Sequence, residues 1–99
     1  MFVYNSVQEK TSNSTPWFKD VNPAAYESIL ETVRNAPGFV SGNWEVDPSN
    51  PNRFLITHSW NDKASWKNMS NSLKSLSAMQ MGELYRKNNE ITTTVNLSE

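Results

Sequence analysis

The sequence predicts a single α+β domain with the element order β-α-β-β-α-β, and three observations carry that prediction. Apolar and polar residues alternate, as in strands, over Met1–Gln8, Phe39–Val46, Arg53–Trp60 and Glu90–Leu97. Two other stretches repeat apolar residues every three or four positions, the period of a helix packed on one face. Dense turn chemistry at Asp47-Pro48-Ser49-Asn50-Pro51-Asn52 joins the middle strands as a hairpin. The length, 99 residues, suits one domain with one modest core.

In the first strand Phe2, Tyr4 and Ser6 alternate with Val3, Asn5 and Val7. Lys10 to Val21 is polar and irregular and reads as a long loop, with Trp17-Phe18 in its middle as a lid or a clasp for a partner. Asn22-Pro23 starts the first helix, an Asn cap followed by Pro at the first helical position. Its stripe is Tyr26, Ile29, Leu30 and Val33, and Pro37-Gly38 ends it. Val40, Gly42, Trp44 and Val46 share one face of the second strand; Phe54, Ile56, His58 and Trp60 share one face of the third. Asn61-Asp62 caps a second helix with the stripe Trp66, Met69, Leu73 and Leu76. That stripe drifts at Met79 and Met81, and Gly82 weakens the helix there, leaving Glu83–Lys87 as a final turn. In the last strand Ile91, Thr93, Val95 and Leu97 share a face.

Two βαβ units joined by a hairpin give a four-stranded antiparallel sheet with two helices on one face, the ferredoxin-like arrangement. The other face has no helices of its own. A monomer would keep it polar, yet Val3, Val7 and Leu55 point that way. The expectation is a homodimer in which that face packs on its copy.

Composition excludes several classes. Nine basic against ten acidic residues leave no excess positive charge for nucleic acid. There is no cysteine, hence no disulfide, thiolate nucleophile or thiolate metal site. The single histidine and scattered carboxylates form no metal-ligand pattern. No apolar run approaches a membrane span, and no signal peptide is predicted at the N-terminus. The location expected from these features is the cytoplasm. An RNA-recognition domain is disfavoured because Arg53-Phe54-Leu55-Ile56 lacks the glycine of that pattern.

Ala36-Pro37-Gly38-Phe39 at the helix-to-strand turn, Phe54-Leu55-Ile56-Thr57-His58-Ser59-Trp60-Asn61-Asp62 at the third strand, and Trp66 a turn further on carry a resemblance. The chain resembles the dimeric α/β-barrel superfamily and, within it, the antibiotic biosynthesis monooxygenase-like domains. The resemblance implies dimers whose sheets pack into a barrel, with a pocket between sheet and helices in each subunit. It also implies that some members oxidise aromatic polyketides with oxygen and no added cofactor, while others degrade haem. The haem-degrading pattern is incomplete here. Asn5 could stand for its strand Asn, but its Trp and His positions fall at Met69 and near Met79.

His58 is the one side chain whose ordinary pKa suits proton transfer near neutrality, and it is the candidate base. Asn5 is the candidate polar anchor for a carbonyl or oxyanion. Tyr4, Trp44 and Trp66 are the candidate walls for a flat hydrophobic ligand. The expected activity is that of a small monooxygenase-like enzyme acting on a hydrophobic aromatic molecule without a cofactor. The alternative is a non-catalytic dimeric module that binds a ligand or assembles.

Overall fold

A computed structural model describes residues 1–99. The elements run β1 (Phe2–Glu9), α1 (Phe18–Val21), α2 (Pro23–Arg34), β2 (Phe39–Val46), β3 (Arg53–Trp60), α3 (Lys63–Lys74), α4 (Ser77–Asn88) and β4 (Thr92–Ser98). The four strands form one antiparallel sheet in the order β2-β3-β1-β4. This is the ferredoxin-like α+β arrangement that the periodicities predict.

Local chemistry explains where the elements start and stop. Asn22 Oδ1 accepts the Ala25 amide at 3.1 Å, and Pro23 opens α2 behind that cap. Asp62 Oδ1 accepts the Ser65 amide at 2.8 Å and caps α3. Gly38 adopts a φ of 88°, open to glycine at little cost, and a Cβ there would also collide with Ser65. The hairpin closes through the Asp47 amide, which donates to the Arg53 carbonyl at 2.8 Å.

Two sequence expectations need correction. The second helical segment is two helices, broken at Ser75-Leu76. Residues 83–87 are therefore not a stray turn but the body of α4. Its buried stripe is made of Ala78 and Gly82, while Met81 and Leu84 are exposed. Small residues pack as firmly as large ones when two helices approach closely, so the stripe does not register as apolar bulk. The second correction concerns Trp17 and Phe18, which are neither lid nor clasp. Trp17 is 5% exposed and packs edge-on to Phe54 with ring centres 5.4 Å apart. Its indole N–H donates to the Pro51 carbonyl at 3.3 Å. Phe18 is buried with Ala25 and Ala78, where α1, α2 and α4 meet.

The helices cover the sheet face that carries Phe2, Tyr4, Ser6, Phe54, Ile56, His58 and Trp60. Phe2, Val33, Trp60 and Met69 form the core at one end; Trp17, Phe54 and Ile91 form it at the other. The register opposes Tyr4 to His58 on β3 and to Leu97 on β4, so these three residues share the covered face. The edge strand β4 lies outside the helical cover, and Val95 and Leu97 stay exposed. On the helix-free face Val7 pairs with Leu55, and Val3 lies on the same side of β1. The hydrogen-bonded pair Asn5–Thr57 sits between Val3 and Val7. No helix is long and apolar enough to cross a membrane.

Candidate functional site

Between the covered sheet face and the helices lies a cavity of about 120 Å³. Sheet residues Tyr4, Ser6, Trp44, Ile56 and His58 line one side, and α2, α4 and the Trp17-Phe18 segment line the other. A cavity of roughly 150 Å³ is known to hold benzene, so this partly open space of about 120 Å³ is on the scale of a single aromatic ring. A second cavity of about 160 Å³ adjoins it toward α3, with Trp66, Met69 and Glu83 in its lining. Tyr4, His58, Leu73 and Met79 belong to both linings and form the partition.

His58 is the polar centre of that partition. It is 5% exposed, and its ring stacks on Tyr4 with centres 4.4 Å apart and planes 10° apart. Trp44 flanks it at 6.0 Å. The Trp44 indole can lie there because Gly42 has no side chain: a Cβ at Gly42 would come within 2.5 Å of that ring. The indole N–H of Trp60 donates to His58 Nδ1 at 2.7 Å. Burial pushes the His58 pKa down from 6.5 to about 4. His58 is therefore neutral at pH 7, and its Nδ1 lone pair is already engaged. That geometry argues against the base expected from the sequence and leaves Nε2 as the free corner of the ring.

The shift has a consequence for stability. A buried neutral histidine lets the unfolded chain bind a proton more readily than the folded one between its two pKa values. Stability should thus be full above about pH 6.5 and fall as the pH drops toward 4, by up to about 3 kcal/mol. Denaturant midpoints taken from pH 7 to 4.5 should show this loss in the parent and a shallower slope in His58→Phe. Equal slopes in the two proteins would remove the assignment to His58.

The structure brings His58, Tyr4 and Trp44 together at the cavity, with Trp66 behind them: its ring is 5.2 Å from Phe2 and 6.1 Å from Tyr4. It does not bring in Asn5. Strand alternation turns Asn5 to the helix-free face, where its Oδ1 accepts the Thr57 hydroxyl at 2.8 Å. An anchor role beside His58 is therefore excluded within one subunit.

Two cavity residues escape the sequence reading. Ser6 Oγ is buried and has no hydrogen-bond partner. Arg86 lines the cavity and makes no ion pair. Burial pushes its pKa below the usual guanidinium range, with Glu83 and Tyr4 offsetting part of the effect. The Arg86 side chain lies back over Gly82, where a Cβ would sit 3.2 Å from Nη1. Ala78, Gly82 and Arg86 recur at intervals of four. A charge on a stripe of small residues is the signal that could have found it. The chain's His, Cys, Asp and Glu side chains form no cluster suited to a metal ion.

A ferredoxin-like domain with an apolar cavity between sheet and helices, holding one buried imidazole and one unpaired guanidinium, defines a class of small α+β proteins with an internal cavity. The description of the antibiotic biosynthesis monooxygenase family matches residues 22–81, and the chain belongs to that family. A search among curated proteins finds no match. Among solved structures, a mutant form of SnoaB from Streptomyces nogalater, a cofactor-independent oxygenase, superposes with a TM-score of 0.71 at 11% identity, over 99% of this chain and 91% of that one. A Deinococcus radiodurans protein proposed to be an antibiotic biosynthesis monooxygenase gives 0.70 at 18% identity, over 100% and 91%. A conserved protein from Methanosarcina mazei gives 0.70 at 13% identity, over 99% and 91%. At these identities the likeness is one of fold.

Proposed function

We propose that the chain is a cytoplasmic, cofactor-independent monooxygenase acting on a small hydrophobic aromatic molecule that bears an ionisable hydroxyl. The observation that carries this reading is the pairing, in one apolar cavity, of the His58 imidazole with the unpaired Arg86 guanidinium. Tyr4 and Trp44 flank the imidazole, and Trp66 backs Tyr4. Arg86 offsets the charge of a phenolate, and Nε2 of His58 donates a hydrogen bond to a ring oxygen. A phenolate is electron-rich enough to give electrons to O₂. One oxygen atom enters at a ring carbon that loses its hydrogen, giving a quinone, and the other leaves as hydroxide, which becomes water on taking up the proton that the phenol released to solvent on ionising.

The test uses 2,6-dimethylphenol, a single ring on the scale of the cavity, whose oxidation by one O₂ yields 2,6-dimethyl-1,4-benzoquinone and one water. Oxygen uptake and quinone absorbance above the buffer rate, reduced at least tenfold in His58→Phe, are the expected results. Binding with no oxygen uptake would favour the second reading, a non-catalytic ligand-binding module. The engaged Nδ1 lone pair of His58 favours that reading, since the imidazole has no free base to offer.

The same reading includes a homodimer formed across the helix-free face, supported by Val3, Val7 and Leu55 there. Light scattering should give twice the chain mass for the parent and one chain mass, or an unfolded chain, for Val3→Glu and Leu55→Glu. A parent that stays monomeric at high concentration would remove the dimer.

A further inference from the structure

We infer that Trp60 is a positioning residue: its indole N–H holds His58 in the Nε2–H tautomer, so that the imidazole offers the cavity a proton donor and no lone pair. The role of that donor rests on the ligand reading above; the lock itself does not.

Residues 58 and 60 are two apart on β3 and point to the same covered face. Their rings stand nearly perpendicular, 84° apart with centres at 5.6 Å, and the indole N–H meets Nδ1 at 2.7 Å. An indole nitrogen can only donate. Nδ1 must therefore accept, and the single proton of the neutral ring sits on Nε2. The other tautomer would set two N–H groups against each other beside a wholly buried indole. A buried donor left without a partner is disfavoured by roughly tenfold or more.

The core fixes which way that donor points. Trp60 is wholly buried, edge-on to Phe39 at 5.5 Å and packed with Phe2, Val33 and Met69. Its ring cannot turn away without opening the core. On the other side, Tyr4 stacked on the imidazole limits rotation of His58 itself. The charged or titratable groups lining the two cavities beside His58 are Tyr4 of β1, Lys19 of α1, Tyr26 of α2, Lys74 of α3, and Glu83 and Arg86 of α4. None of them makes a hydrogen bond to the ring, so Trp60 is its sole fixed polar partner.

His58 is the only histidine in the chain, so its nitrogen resonances need no assignment among several. In the ¹⁵N-labelled full chain, long-range proton–nitrogen correlation should show a protonated Nε2 and a bare Nδ1. A nitrogen–nitrogen coupling across the hydrogen bond should link Nδ1 to Trp60 Nε1. In Trp60→Phe, which keeps an aromatic ring, that coupling should vanish and the Nδ1–H population should rise at least tenfold. A merely structural role for Trp60 would lower stability and leave the tautomer unchanged. A protonated Nδ1 in the parent, or an unchanged tautomer in a folded Trp60→Phe, would overturn the inference. Should that variant fail to fold, the coupling in the parent decides alone: present it supports the lock, absent it refutes it. A locked tautomer in a chain that does not bind 4-nitrophenol would uphold Trp60 and sink the ligand reading.

Discussion

Replacing Trp17 with Ala should destabilise the domain by about 3–5 kcal/mol, the usual loss for a large buried aromatic ring. For a chain of this length that lowers the thermal midpoint by more than about 10 °C. The reason is its place in the core. Trp17 is buried against Phe54 and Ile91, its N–H reaches the Pro51 carbonyl across the hairpin, and the Lys10 ammonium lies 4.7 Å from the ring centre. The truncated side chain would also open one wall of the cavity, which Trp17 helps to line. Chemical denaturation checks the expectation directly. A lid residue would behave differently: its loss would shift stability by less than about 0.5 kcal/mol, as exposed substitutions do, and would change ligand exchange instead.

The second large effect is expected at Arg86. Arg86→Met keeps much of the stem that lies over Gly82 and removes the charge. Hydrogen bonds to charged groups contribute about 1.5–3 kcal/mol, which corresponds to roughly a 10- to 150-fold loss of affinity. Calorimetry should show that loss for 4-nitrophenolate and leave 4-nitroanisole, which carries no charge, within about threefold of the parent on the same scale. Equal losses for both ligands would mean that Arg86 shapes the cavity and does not recognise charge. The folded state should tolerate the change, because the guanidinium has no ion-pair partner to strand.

Much of the fold is legible in the residues because the relevant signals are local. Asn22-Pro23 and Asp62 cap the helices that they announce, and Asp47–Asn52 closes the hairpin that its composition requires. The break between α3 and α4 has no such signal. Leu76 occupies the cap position of α4 and offers no side-chain hydrogen bond, so Ser75-Leu76-Ser77 looks like continuing helix. Trp17 and Phe18 evade pattern reading for a different reason. Their partners, Phe54, Ile91 and Ala78, are remote in sequence, and a loop has no period to betray which residues turn inward.

The site divides in the same way. Strand alternation separates Asn5 from Tyr4, but which of the two faces the helices cover follows from how the chain crosses over, not from β1 itself. His58, Tyr4 and Trp44 could be read as aromatic neighbours on apolar faces. The donor on Trp60 and the acceptor on His58 are both visible as residue types two positions apart. Their bond depends on a ring orientation set by Phe2, Val33 and Met69, which no local rule supplies. Arg86 is hidden because a charge near the end of a helix usually reads as a solvated tip.

The partition between the two cavities combines stiff and soft members. Tyr4 and His58 are planar rings stacked on each other, with little freedom to move apart. Leu73 and Met79 complete the wall, and methionine is an unbranched side chain with three rotatable bonds. A guest molecule would therefore meet a divider that yields on its helical side and holds on its sheet side. The stiff half would dictate the place of a guest's oxygen, while the length of its hydrocarbon would depend on how far Met79 folds aside. Such a chamber would be strict about where a heteroatom sits and lenient about small changes in the hydrocarbon attached to it.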